Sequence, residues 1–310
     1  MNLRDLRYLI AVAEHRHFGR AAEACHVSQP TLSGQIRKLE EELGVILFER
    51  TSRLVVPTPL AESMLVHARA SVEQADALRE LARAGRDPYA GRFRLGMIPT
   101  LAPYVMPWLL PALKRSLPAL QPAVWEDVTD SLIARLRRHE LDGILIASPP
   151  EGEDLAAALV FEEPFLAALP AGQALAARAT LSEQDLLGTD LLLLAEGHCL
   201  RDQALALCGT APAEGADLRA TSLETLLNLV TAGMGSTLVP ALAVRQLARE
   251  RGGLALRPVE GGRASRGIRL AGRTGYPRQA LLDRLATLLA AEVPSDSGCR
   301  PAIPAPRVHA

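Results

Sequence analysis

The chain opens with short amphipathic helices and a basic, β-prone stretch, FERTSRLVVPTP, that together fill residues 1–58. Within this zone Leu32, Ile36, Leu39 and Leu43 recur at spacings of three and four, one face of a helix. From 59 the same spacing continues in one long run through Leu60, Met64, Leu65, Ala68, Val72, Ala75, Leu78 and Leu81, a single stripe of the kind a helix–helix interface requires. The cluster GRDPYAG (85–91) then breaks the pattern. Beyond it strands and helices alternate. FRLGMI (93–98), AVWEDV (123–128) and GILIAS (143–148) read as strands, with helices at 103–117 and 131–142 between them. The rhythm resumes with an apolar strand at LLLLAEG (191–197), helical CLRDQALAL and SLETLLNLVTAG, strands STLVP and RGIRLAG, and a last amphipathic helix, RQALLDRLATLLAAEV. Such alternation predicts an α/β unit with a mostly parallel sheet and helices on its faces.

Length and composition narrow the classes. At ~100–200 residues per domain, 310 residues suggest about two domains. The 48% apolar and 22% charged content is ordinary for a folded chain. No run of ~18 apolar residues occurs, so no membrane partner is expected. The first residues carry charges throughout and do not read as a signal peptide, so the expected location is the cytoplasm. The net charge of −1 excludes a generally basic protein, and residues 1–60 hold eight basic against seven acidic groups. A nucleic-acid role must therefore rest on a local motif. Four cysteines without CxxC or metal-ligand spacing argue against zinc, and neither metal nor other cofactor is expected. The Pro-rich residues 295–310 read as a disordered tail, with Cys299 exposed in it.

The local motif is in the segment FGRAAEACHVSQPTLSGQIRKL. Ser28 suits a helix cap and Pro30 the first turn. Opposite the apolar face lie Gln29, Pro30, Gly34 and Arg37, flanked by Thr31 and Ser33. Two short helices joined by a tight turn, the second polar on its outer face, make a helix-turn-helix whose second helix reads base edges in the major groove. Gly34 would allow close approach, and Arg50 and Arg53 on the following wing would contact phosphates. The plainer reading is a helical bundle with a solvated face.

A second site candidate follows the apolar run Leu191–Leu194, where Gly197 turns the chain and a helix begins near Cys199. A thiol at a helix N-terminus feels the positive end of the dipole, which favours the thiolate. If Cys199 to Cys208 is one helix, its ~1.5 Å rise per residue sets their Cα atoms roughly 13 Å apart, beyond the ~4.4–6.8 Å of a disulfide. Joining them would require the helix to melt. Taken alone, the cysteines read more simply as small buried apolar residues.

Residues 1–58, and most closely the string from Phe18 to Arg50 ending LEEELGVILFER, resemble the winged helix-turn-helix of LysR-type transcriptional regulators. One departure is Thr58, Pro59, Leu60, Ala61, where the family usually has Thr-Pro-Ala-Gly. The resemblance implies a DNA-binding domain at 1–58, a dimerising linker helix at 59–90 and, at 91–294, a two-lobed effector domain of the periplasmic-binding-protein kind. The runs 196–204, RATSLETL (219–226) and LVPALAV (238–244) resemble the peroxide-sensing members of the family. That likeness implies Cys199 as the cysteine that meets hydrogen peroxide and Cys208 as its disulfide partner. It further implies Thr100, Thr129, His198 and Asp202 as pocket and relay residues and Arg266 as the cation that stabilises the thiolate. Double-stranded DNA, RNA polymerase and a homodimer or homotetramer are the implied partners, in a regulator that is not an enzyme. Two other readings stay open: a family member that binds a small metabolite in the cleft, and a thiol peroxidase carrying a DNA-binding domain.

Overall fold

The structure, a computed structural model, describes residues 1–50, 55–84, 87–187, 189–208, 220–247, 253–261 and 264–302. Contacts divide the chain into Met1–Pro88 and Tyr89–Ala310.

The first unit holds α1 (Leu3–His15), α2 (Phe18–Ala24), α3 (Gln29–Leu43), the strands β1 (Phe48–Arg50) and β2 (Val55–Pro57), and α4 (Pro59–Ala84). Each short helix has its own start signal. Asn2 and Asp5 form a capping box on α1, the His17 ring accepts from the Gly19 and Arg20 N–H groups at α2, and Ser28 accepts from Thr31 N–H at α3. Gly44, at φ 67°, ends α3 in the left-handed region. Leu32, Ile36 and Leu39 are buried with Leu9, Val12, Leu47 and Phe48 in one core. The Glu40 carboxylate accepts from the Leu47 and Phe48 N–H groups and ties the β1–β2 hairpin to α3.

The stripe on α4 is divided rather than single. Ala61, Leu65 and Ala68 are buried within this unit, and Arg69 pairs with Glu14 of α1 at 2.6 Å. Leu60 and Leu78 face outward, 49% and 69% exposed. Packing within the chain therefore accounts for part of the stripe, and Leu60 and Leu78 are left outside it.

The second unit begins with β3 (Gly91–Met97), α5 (Ala102–Ser116), β4 (Leu120–Glu126), α6 (Thr129–Arg137) and β5 (Gly143–Ile146). Then come β6 (Leu155–Pro170), β7 (Leu181–Ser182), α7 (Glu183–Leu186), α8 (Cys199–Cys208), α9 (Leu223–Thr231) and β8 (Thr237–Pro240). It closes with α10 (Ala241–Leu247), β9 (Leu254–Glu260), β10 (Ser265–Arg273), α11 (Gln279–Glu292) and β11 (Arg300–Pro301). The strand order is β4-β3-β5-β10-β6-β9-β7. β3 runs parallel to β4 and β5, whereas β10 is antiparallel to β5 and β6, and β8 and β9 are antiparallel to β6.

The sheet is thus mixed, not mostly parallel. The cause is β6, 16 residues long, which pairs with β10 through its first half and with β8 and β9 through its second. It carries the chain from one lobe of this α/β unit to the other, and the later antiparallel β10 brings it back. Two further expectations change. Residues 191–197 form isolated bridges, Leu191 to Ser236 and Leu194 to Ala220, rather than a strand. The helix expected over 131–142 ends at Arg137, and His139 follows at φ 61°. Among the described residues no helix is long and apolar enough to cross a membrane.

Candidate functional site

The site forms where strands of the second unit end. β3 runs out into Ile98, Pro99 and Thr100; β4 is followed by Val128 and Thr129 at the start of α6; and Gly197, His198 and Cys199 lead into α8. These eight residues line one cleft of about 160 Å3, counting space open to solvent. Ligands gather at strand ends in α/β sheets because loops and helix N-termini converge there. Gly197 is needed for the turn, since its φ of +88° is one that side chains rarely adopt.

Thr100 and Thr129 are not serving as helix caps. Thr129 is the first residue of α6, and its buried hydroxyl lies by the Cys199 sulfur without a hydrogen bond of ordinary geometry. Thr100 accepts from Arg266: Nη1 donates to Oγ1 at 2.8 Å and Nη2 to the carbonyl oxygen at 2.9 Å. Arg266 is no surface charge. It is buried, and its side chain and that of Glu163 are both fully enclosed, paired at 2.9 Å. Glu163 also accepts from the Leu242 N–H, which fixes the carboxylate to the start of α10. Sequence reasoning missed Glu163. The available signal was an acidic pair, Glu162 and Glu163, inside an otherwise apolar run.

The electrostatics correct one expectation. Burial pushes the Cys199 thiol up from its ordinary value, against the pull of Arg266, the Thr129 hydroxyl and the Leu200 N–H; Asp202 adds to the rise. Desolvation penalises the thiolate more than the cation and these hydrogen-bond donors favour it, so the resting group is the thiol. Burial also lowers the affinity of His198 for a proton, which keeps the imidazole neutral beside it. Asp202 is exposed on the first turn of α8 and does not line the cleft. On the same helix Gln203 donates to the Ala147 carbonyl, while its Oε1 is buried without a partner.

Cys208 ends α8 and is wholly buried in the core, with its thiol pushed up to about 11 by burial and then by Glu183. All ten residues from Cys199 to Cys208 are helical, so the two thiols sit at opposite ends of one intact helix. Cys25 packs against the core of the first unit. Cys299 is buried, not exposed; of the tail expected at 295–310, residues 295–302 hold a 3-10 turn and a strand, and 303–310 lie outside the described residues.

In the first unit Gln29, Pro30, Thr31, Gly34 and Arg37 are exposed along α3, and Ser33 is half-buried. A Cβ built on Gly34 meets nothing within 4 Å, so nothing in the chain itself demands glycine there. Arg50 ends β1, but its side chain and the whole of Arg53 lie outside the described residues.

Comparisons with known proteins agree with both units. Residues 3–62 match the bacterial regulatory helix-turn-helix protein, lysR family, and residues 86–294 the LysR substrate binding domain. The chain is 44% identical over 294 residues to the DNA-binding transcriptional dual regulator OxyR of Escherichia coli K12, covering 94% of this chain and 96% of that protein. Full-length OxyR of Pseudomonas aeruginosa, solved as a cysteine-to-aspartate variant, superposes with a TM-score of 0.81 at 39% identity, over 93% and 94% of the two chains. A hydrogen-peroxide-bound cysteine mutant of Corynebacterium glutamicum OxyR gives 0.65 at 35% identity, over 93% and 91%. With both of its units matched and relatives aligned along nearly its whole length, this chain belongs to the LysR family of bacterial regulators.

Proposed function

We propose that this protein is a hydrogen-peroxide-sensing, DNA-binding transcriptional regulator of the OxyR type, switched by a reversible Cys199–Cys208 disulfide. The observation that carries the reading is the cleft around Cys199. The cleft is tight, far smaller than the ~300–1,000 Å3 of most small-molecule sites, so a bulky metabolite does not fit between these walls as they stand. Peroxide, with two heavy atoms, demands the least opening of these tight walls. The walls suit peroxide too: a thiol, an unpartnered hydroxyl on Thr129 and a neutral imidazole on His198.

The chemistry balances without a cofactor. Cys199 gives up its proton, which the His198 imidazole can accept, and its sulfur attacks one peroxide oxygen. The O–O bond breaks, and the departing hydroxide takes a proton and leaves as water, with Cys199 as the sulfenic acid. The Cys208 sulfur then attacks the Cys199 sulfur, expelling a second water and forming the disulfide. Arg266, held by Glu163 and Thr100, supplies positive charge where the thiolate develops. Because α8 is intact in the reduced chain, the disulfide selects a second conformation, which is what a switch requires.

The exposed face of α3 is the DNA-reading surface, with Gly34 left bare for close approach and Arg37 beside it. The outward residues of α4 fit pairing with a second copy, and a homotetramer acting on RNA polymerase in the cytoplasm completes the reading. Stoichiometric peroxide followed by thiol blocking and peptide mass mapping tests it. The expected product is a Cys199–Cys208 linked peptide absent beforehand; both thiols remaining free would overturn the redox switch.

A further inference from the structure

The C-terminal segment after α11 is built into the sheet. It makes a 3-10 turn at Ser295–Ser297, passes Gly298 in the left-handed region at φ 75°, and pairs Arg300 with Glu162 and Pro301 with Phe161 of β6. The Ala302 N–H continues the pairing by donating to the Val160 carbonyl, and Arg300 forms an ion pair with Glu162. Extending this antiparallel register back by one residue sets Cys299 opposite Glu163. On the other edge of β6, Glu163 is opposite Arg266. Residues opposite one another on adjacent strands project from the same face, with Cβ atoms ~4.5–5.5 Å apart. Cys299, Glu163 and Arg266 therefore form a row across three strands that ends at Thr100 in the wall of the Cys199 cleft. Burial supports the row, since Ser297 and Cys299 are each only 8% exposed. So does the charge environment: burial and then Glu163 push the Cys299 thiol up to about 12, while Ser297 and Arg266 act in the opposite sense. Both charges are thus within electrostatic reach of this thiol.

We propose that Pro294–Pro301 is a positioning strap for the sensing cysteine: Ser297 and Cys299 close the Glu163–Arg266 pair from water and thereby set the reactivity of Cys199. Charge–charge attraction is several-fold stronger in a dry interior than beside water. With the strap in place, Glu163 holds the guanidinium on Thr100 and the field of Arg266 reaches Cys199 unscreened. With the strap gone, water reaches the carboxylate, the guanidinium gains solvent as a competing partner, and the thiolate loses support. Cys299 itself undergoes no chemistry in this scheme. The proposal rests on Cys199 as the sensing thiol, yet its test does not require peroxide.

The test compares the full-length protein with a chain ending at Pro294 and a chain ending at Ala302. Alkylation of Cys199 by iodoacetamide is followed against pH, with the Cys199 peptide quantified by mass, and oxidation by hydrogen peroxide is measured in parallel. Ending at Pro294 is expected to slow Cys199 alkylation at neutral pH by about threefold or more and to move its pH midpoint upward, since each unit of midpoint is tenfold in thiolate. Ending at Ala302 keeps the strap and is expected to match the full-length profile. Should the shorter chain fail to fold, Cys299→Ser decides. Its hydroxyl donates to Glu163, loosens the hold on Arg266 and is expected to displace the same midpoint. Superimposable pH profiles for a folded Pro294 chain, or for Cys299→Ser, would overturn the strap. If Cys199 fails to react with peroxide in every chain while the midpoints still differ, the strap stands and the peroxide reading falls.

Discussion

Linking Cys199 to Cys208 must dismantle α8, and the structure sets the scale of that change. The helix holds the two Cα atoms about 13 Å apart at ~1.5 Å per residue, and a disulfide needs roughly 4.4–6.8 Å. Rotamer changes cannot recover the difference. Unwinding draws Leu200 and Leu207 out of the core together with Ala204 and Cys208. At ~1.5–3 kcal/mol per fully buried leucine, the two alone amount to about 3–6 kcal/mol, an upper range because the unwound segment keeps some cover. An opening free energy of ~4 kcal/mol corresponds to about a thousandfold slowing of amide exchange in the reduced helix. Exchange followed by mass spectrometry on the 199–208 peptide, before and after oxidation with stoichiometric peroxide, reads this directly. Most of the protection is expected to vanish in the linked form. A chain carrying the Cys199–Cys208 link with exchange as slow as the reduced chain would refute the argument.

Replacing Gly34 with alanine separates folding from binding: with free space around it, the change should stabilise α3 by up to ~1 kcal/mol, about fivefold slower local exchange, while weakening duplex binding in a salt titration. Unchanged or tighter binding would remove Gly34 from the interface. The change Arg266→Met strands a buried carboxylate and should cost about 3–5 kcal/mol in unfolding experiments, much of it recovered in the Arg266→Met, Glu163→Leu double variant; a single variant as stable as the parent contradicts the pairing. Burial, then the Arg273 charge, lower His139 to about 4, so the folded state favours the neutral ring. Its contribution is full above about pH 6.5 and is lost as pH falls towards 4, and because the ring is half-buried, screening leaves on the order of 1 kcal/mol. His139→Asn, which tolerates the positive φ, should flatten the fall in Tm across that window; an equally steep fall would exclude the ring as its source.

Much of the fold was legible because short-range signals decide it. Ser28, Pro30 and Gly44 bound α3 by capping chemistry that acts within one turn. The sequence did not reveal β6, whose run LAAALVFEEPFLAALP lacks the alternation of a half-buried strand because partners cover it along its length. Nor did composition reveal the ordered tail: proline content argues for disorder, but pairing with β6 and the burial of Cys299 offset the cost of ordering residues 295–302.

The sequence by itself determined the helix-turn-helix, the α/β rhythm, the position of Cys199 at a helix start and the one-helix separation of Cys199 from Cys208, since periodicity, caps and helical rise are local properties. Only the tertiary structure decided the protonation state of the thiol and the company it keeps. Burial outweighs Arg266 and the nearby hydrogen-bond donors at Cys199, and that balance depends on how many distant residues exclude water. Arg266 reaches Thr100 from 166 residues away, and Glu163 holds Arg266 across a strand register that no local pattern encodes. The surroundings of Cys199 are therefore set by long-range pairing and desolvation, and these exist only once the sheet has formed.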